Sequence, residues 1–161
     1  VAAAHRHPPH GRGTVGMVQV FPNSRNVIPG RVKFSIDLRN STDELVDAMA
    51  AEVKAFADQV AQEHGVQVHI EMVSSYPAQL FQPECVEAVG RAAAKLGYSH
   101  MPAVSGAGHD AVYMAKLAPS GMIFIPCKDG ISHNEIEDAK PEHIEAGCNV
   151  LLHAMLERAG T

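Results

Sequence analysis

The sequence predicts an α/β protein built in two parts, and three observations carry that reading. Residues 31–39, "RVKFSIDLR", alternate apolar and polar side chains with the period of a half-buried strand. Three stretches, near 42–64, 83–96 and 141–159, place apolar residues at helical spacing between recognisable start and stop residues. A third signal, "GMIFIP" at 121–126, is continuously apolar, as in a strand covered on both faces. The first part then reads β-β-α-β, the remnant of a ferredoxin-like split βαβ unit, and the second reads as α/β.

Taken in order, the chain opens with "HRHPPHGRG", whose His5, His7 and His10 cluster among Pro and Gly; we read residues 1–13 as a solvated linker. "TVGMVQVF", Thr14 to Phe21, is β-rich and bounded by the turn residues of "PNSRN". With 31–39 it should form a two-stranded antiparallel unit. "STDE" has the form of a capping box, with Ser41 as N-cap and Glu44 reaching back. Leu45, Met49, Val53, Phe56 and Val60 mark the inner stripe of the helix that follows, and Gly65 suits its C-terminal cap. "VQVHIEMV" returns to alternation, with Val66, Val68, Ile70 and Met72 on one face of a strand.

"SSYPAQLFQP" reads as the crossing between the parts, placed here at residues 14–76 and 77–161. Pro83 then starts a helix with Val86, Val89, Ala93 and Leu96 inward, and Gly97 stops it. "GAGHDAVYMAKLA" reads as a glycine turn entering a short helix. Pro141 opens the closing helix, with Ile144, Cys148, Leu151 and Met155 expected inward.

Composition narrows the function classes. The formal net charge of −5 argues against a nucleic-acid binder that works by neutralising phosphates. No apolar run approaches the roughly 18 residues of a membrane span, and no signal peptide is visible. Cys85, Cys127 and Cys148 are odd in number and lack CxxC spacing, so they read as reduced, buried thiols of a cytoplasmic protein.

Three stretches could carry chemistry. Asn26 precedes one strand and Arg39 ends it; an amide and a guanidinium fork suit the two oxygens of a carboxylate. The plainer alternative is a turn asparagine and an arginine paired with Asp37 on the same strand face. In "SGAGHDA", two glycines let backbone approach a ligand, and N–H groups at a helix start can cradle an anion. Asp110 could equally be a helix cap and His109 a hydrogen-bonded packing residue. "IPCKDGISHNEIED" empties an apolar run into a loop carrying His133, with Glu135, Glu137 and Asp138 close behind. Imidazole is a good zinc ligand, but one histidine makes no site, because catalytic zinc wants three protein ligands.

In order and spacing, "GTVG", "PNSRNVIPGRVKFSIDLR", "SGAGHDA" and "GMIFIPCKDGISHNEIE" resemble the C-terminal part of the zinc-dependent amidohydrolases that include N-carbamoyl-L-amino-acid hydrolases and allantoate amidohydrolases, relatives of dinuclear aminopeptidases. The resemblance runs from about Gly13 to Gly160. It implies that residues 14–76 belong to a lid and homodimerisation domain, and that the rest is the C-terminal part of an α/β/α zinc-hydrolase domain. It assigns Asn26 and Arg39 to the substrate carboxylate, the backbone of Ser105, Gly106, Ala107 and Gly108 to the same pocket, and His133 to one of two metal ions (zinc, or manganese, cobalt or nickel).

The resemblance also implies what is missing. The other metal ligands, the general-base glutamate and a further substrate-binding histidine have no counterpart among these residues. His5, His7 and His10 fall outside the family blocks. Cys127 and Glu135 depart from the usual small hydroxyl residue and proline, without touching the proposed roles. In the complete enzymes, two metals activate a bridging water for attack on a carbamoyl or ureido C–N bond while a glutamate moves the proton. A chain of this extent is expected to be inactive alone, with a stand-alone, non-catalytic dimerisation or carboxylate-binding module as the alternative. A bare aminopeptidase-like hydrolase is a weaker third option, since the "NVIPG…DLR" clamp is shared more widely than "SGAGHD".

Overall fold

The computed structural model describes residues 1–160, which divide into two compact units, 1–78 and the remainder from Gln79. In the first unit the two β-rich stretches pair as an antiparallel ribbon interrupted in its middle. β1 (Arg12–Thr14) pairs with β4 (Asp37–Arg39), matching Gly13 with Leu38. β2 (Val18–Phe21) pairs with β3 (Arg31–Phe34), matching Val18 with Phe34 and Val20 with Val32. The expected continuous strands are therefore each broken, around Val15–Met17 and Ser35–Ile36, although the Ser35 N–H still reaches the Met17 carbonyl at 3.1 Å.

Residues 1–13 are not a linker. They hold a short helix, α1 (Ala2–His5), with Ala3 and Ala4 buried, and they supply most of β1. Their polar anchor is Glu52 on α2 (Asp43–His64), which accepts from Arg6 at 2.5 and 2.8 Å and lies 2.7 Å from His7 Nε2. His7 is thus a structural partner rather than a solvated side chain. Helix α2 follows its pattern, ending at Gly65 with φ of 64°, a left-handed cap that glycine adopts without a Cβ penalty. Its N-cap is Thr42, one residue beyond Ser41, and the Thr42 hydroxyl accepts from Leu45 N–H at 3.4 Å. Of the inner stripe only Met49 is fully buried, while Phe56 is 66% exposed.

The strand read at 66–73 forms no ladder among the described residues. Val66, Val68, Ile70 and Met72 are all exposed. Alternation marks a segment that can be a strand; a strand exists only when another supplies hydrogen-bond partners.

The second unit rests on a seam between α3 (Pro83–Lys95) and α5 (Pro141–Ala159). Ala88, Ala92 and Ala93 meet Val150 and Ala154, with Val89, Leu96, Tyr98 and Ile123 packed around them. Small side chains let two helices approach closely. Arg91 ties the outer edge of the seam, binding Glu157 at 2.7 and 3.0 Å. The inner face expected for α3 is buried at Ala93 and packed at Val89 and Leu96, with Val86 exposed, whereas the face expected for α5 is displaced: Ile144, Cys148, Leu151 and Met155 are exposed. The cysteines are free but not buried, since Cys85 and Cys127 are half-covered.

"GMIFIP" runs against this seam without a strand ladder among the described residues. A side chain at Gly147 would come within 2.7 Å of Ile125, so glycine is what lets the run lie against α5. Gln82 fastens the start of α3 to this region, its carboxamide oxygen accepting from Ser120 N–H at 2.7 Å. No described helix is long and apolar enough to cross a membrane.

The Glu52 anchor makes a pH prediction. Hydrogen bonds from His7 and Arg6 hold the Glu52 carboxyl below the ordinary glutamate range. A depressed carboxylate contributes its stability above the unfolded value of about 4.3, and loses it as pH falls through the folded value. Glu52→Gln should therefore lower the urea midpoint at pH 7 and flatten its acid decline, with the two proteins converging at low pH.

Candidate functional site

Asn26 lies in the loop between β2 and β3, fully exposed, where its side-chain oxygen accepts from the Ser24 hydroxyl at 2.9 Å. Arg31 closes the base of that loop by stacking over Phe21, 4.4 Å from the ring centre. Arg39 ends β4, on the other half of the ribbon. Ladder register sets it directly opposite Arg12, an arrangement of like charges that costs energy unless each turns away. Arg12 turns to the carbonyls of Pro9 and Gly11, and Arg39 turns to Asp37, at 2.7 and 3.2 Å. Asp37 raises the Arg39 pKa through this hydrogen bond and its charge, so the guanidinium stays charged. The plainer reading of Arg39 is thus realised in this structure. The pair is half-exposed, and an exposed pair of this kind is weak enough for a competing carboxylate to replace.

In the second unit, Ser105 to Gly108 form an exposed turn before α4 (Ala111–Ala115), a single helical turn. Asp110 sits at its N-cap position and makes no side-chain cap. The Ser105 hydroxyl accepts from Ala107 N–H at 3.2 Å and lies 2.5 Å from His109 Nε2. The His109 ring meets Phe124 edge-on, 5.6 Å between centres. His109 is therefore both a packing residue and a hydrogen-bond partner of the loop. Both roles fit the plainer reading of His109 as a hydrogen-bonded packing residue.

His133 occupies a loop whose ends are clipped together by Lys128 N–H to the Asp138 carbonyl, 2.7 Å. Its φ is 56°, a left-handed conformation uncommon outside glycine, asparagine, aspartate and histidine. The Glu137 carboxylate holds that turn by accepting from His133 N–H at 2.9 Å, and Asn134 accepts from Ile136 N–H at 3.2 Å. Two of the three acidic residues after His133 bind backbone: Glu137 that of His133 itself, Asp138 the Ala139 N–H. The imidazole is exposed. Among the described residues no three His, Cys, Asp or Glu side chains converge as a metal would require. A single imidazole does not fit a zinc ion, and no chemistry is routed through one here.

These local geometries belong to a known architecture. The family model of peptidase family M20/M25/M40 matches residues 4–157. The chain belongs to that family. The match includes His5, His7 and His10, which the sequence reading had set outside the family blocks. An N-carbamoyl-L-amino-acid amidohydrolase of Rhizobium meliloti is 47% identical over 97% of the chain, and the chain covers 38% of it. A ureidoglycolate hydrolase of Arabidopsis thaliana is 32% identical over 86% of the chain and 29% of its own length. Among solved structures, an amidase of the hydantoinase/carbamoylase family from Burkholderia multivorans superposes with a TM-score of 0.93 at 52% identity, over 98% of the chain and 38% of that protein. The resemblance to carbamoylases read from the four sequence blocks is borne out, and so is the mixed α/β fold. The chain spans less than two-fifths of the length of these relatives.

Proposed function

We propose that this chain is part of a metal-dependent amidohydrolase that cleaves the carbamoyl or ureido C–N bond of N-carbamoyl-L-amino acids or allantoate-like substrates. The 47% identity to an N-carbamoyl-L-amino-acid amidohydrolase across 97% of the chain carries the reading. Asn26 and Arg39 bind the substrate carboxylate, and the backbone N–H groups of Ser105 to Gly108 face the reacting end. Arg39 reaches its role by exchanging Asp37 for the substrate, a trade between two carboxylates. His133 gives one ligand to a metal whose other donors, with the general base, are not among these residues. Alone, the chain is inactive. Its three free cysteines suit the reducing cytoplasm.

The first unit is the lid and the site of homodimerisation. Beyond the Val66 N–H, which is bound to the Ala61 carbonyl, the segment at 67–73 forms no ladder among the described residues and carries exposed Val68, Ile70 and Met72, and such an edge recruits another chain.

Three measurements test these roles. In an active enzyme containing this region, Arg39→Lys should raise KM for N-carbamoyl-L-alanine about tenfold or more while the urea midpoint stays nearly unchanged, because lysine loses the bidentate geometry. A large fall in stability with unaltered KM would remove Arg39 from the site. Elemental analysis of the dialysed chain should find well under one zinc per molecule, and His133→Ala should not change that figure much. Sedimentation across a dilution series should show at least a dimer, shifted towards monomer by Ile70→Lys; a stable monomer at micromolar concentration refutes the association.

A further inference from the structure

We infer that His109 is a positioning residue that braces the Ser105–Gly108 turn through the Ser105 hydroxyl; the inference rests on the proposal that this turn faces the substrate. Two glycines, Gly106 and Gly108, leave the turn with little backbone restraint of its own, and a Cβ on either would meet nothing within 4 Å. One hydroxyl supplies a local restraint. Ser105 Oγ accepts from Ala107 N–H at 3.2 Å and stands 2.5 Å from His109 Nε2.

The Ser105 oxygen can serve both partners: with one lone pair occupied by Ala107 N–H, the contact to His109 forms either by the hydroxyl proton going to Nε2 or by an Nε2–H going to the second lone pair. The His109 ring is in turn held edge-on by Phe124, which belongs to the apolar run lying along the α3–α5 seam. A line of contacts thus joins the apolar run to the turn: Phe124, His109, Ser105, Ala107. The backbone N–H groups are aimed by a ring that need not touch a ligand, in the way an outer residue orients the group that does the binding.

Nitrogen-15 spectra of the imidazole read the bond directly: the His109 Nε2 resonance should move between the wild-type chain and Ser105→Ala, and an Nε2 resonance identical in the two proteins overturns the brace. Ser105→Ala should speed hydrogen exchange at Ala107 N–H about three- to tenfold, as expected for one lost hydrogen bond. Ser105→Thr should restore the wild-type rate. His109→Phe keeps a ring against Phe124 but removes the hydrogen-bond partner, and should shift the Ala107 and Gly108 amide resonances. Unmoved resonances in His109→Phe would also overturn the inference. Titration with N-carbamoylglycine separates the two ideas. An intact brace, with no response of the Gly106 and Gly108 amides to ligand, would refute the substrate-facing role and leave His109 as a brace of the fold.

Discussion

An extended segment has no stability of its own; its N–H and C=O groups must be satisfied by another segment or by water. That requirement organises this molecule. Where residues 12–21 and 31–39 can reach each other, they form a ribbon, and α2 and the amino-terminal turn collect against its β1–β4 half. Where the described residues supply no partner strand, as at 66–73 and 121–126, equally strand-like sequences form no ladder. The helices carry their hydrogen bonds internally and are complete. The difference between the finished and unfinished parts of the fold is therefore the difference between local and non-local backbone pairing.

The candidate functional groups all lie at places where regular structure has just stopped. Asn26 is in a ribbon loop, Arg39 at a strand end, Ser105 to Gly108 in a glycine turn, and His133 beyond an apolar run. Each is held by local polar contacts: Ser24 for Asn26, Asp37 for Arg39, His109 for Ser105, Glu137 for the backbone of His133. Exposed contacts of this kind are worth little individually, so each group can exchange its internal partner for a ligand at small cost. A buried clamp would be more rigid and harder to reach.

The helical seam of the second unit shows why the inner face of α5 was misjudged. Periodicity nominated the large apolar residues Ile144, Cys148, Leu151 and Met155, because size usually goes with burial. The seam is instead made of alanines and Val150, since close helix approach favours small side chains. The larger residues line an open apolar groove together with Ile123 and Ile125, of about 680 Å³. Periodicity identifies an apolar stripe; the choice of which flank is covered depends on what the helix packs against.

By itself the sequence determined the α-helices beyond residue 41, their caps to within a residue, the ribbon pairing and the family, because each depends on neighbouring residues or on motifs in fixed order. It also marked Asn26, Arg39, Ser105–Gly108 and His133 as chemically notable. Only the tertiary structure decided that residues 1–13 fold onto α2 through Glu52, that Arg39 turns to Asp37, and that His109 grips Ser105. It alone left 66–73 and 121–126 without a ladder among the described residues. These outcomes rest on contacts between residues whose proximity is set by chain path and competing partners, and a linear pattern of apolar and polar residues does not encode which partner wins.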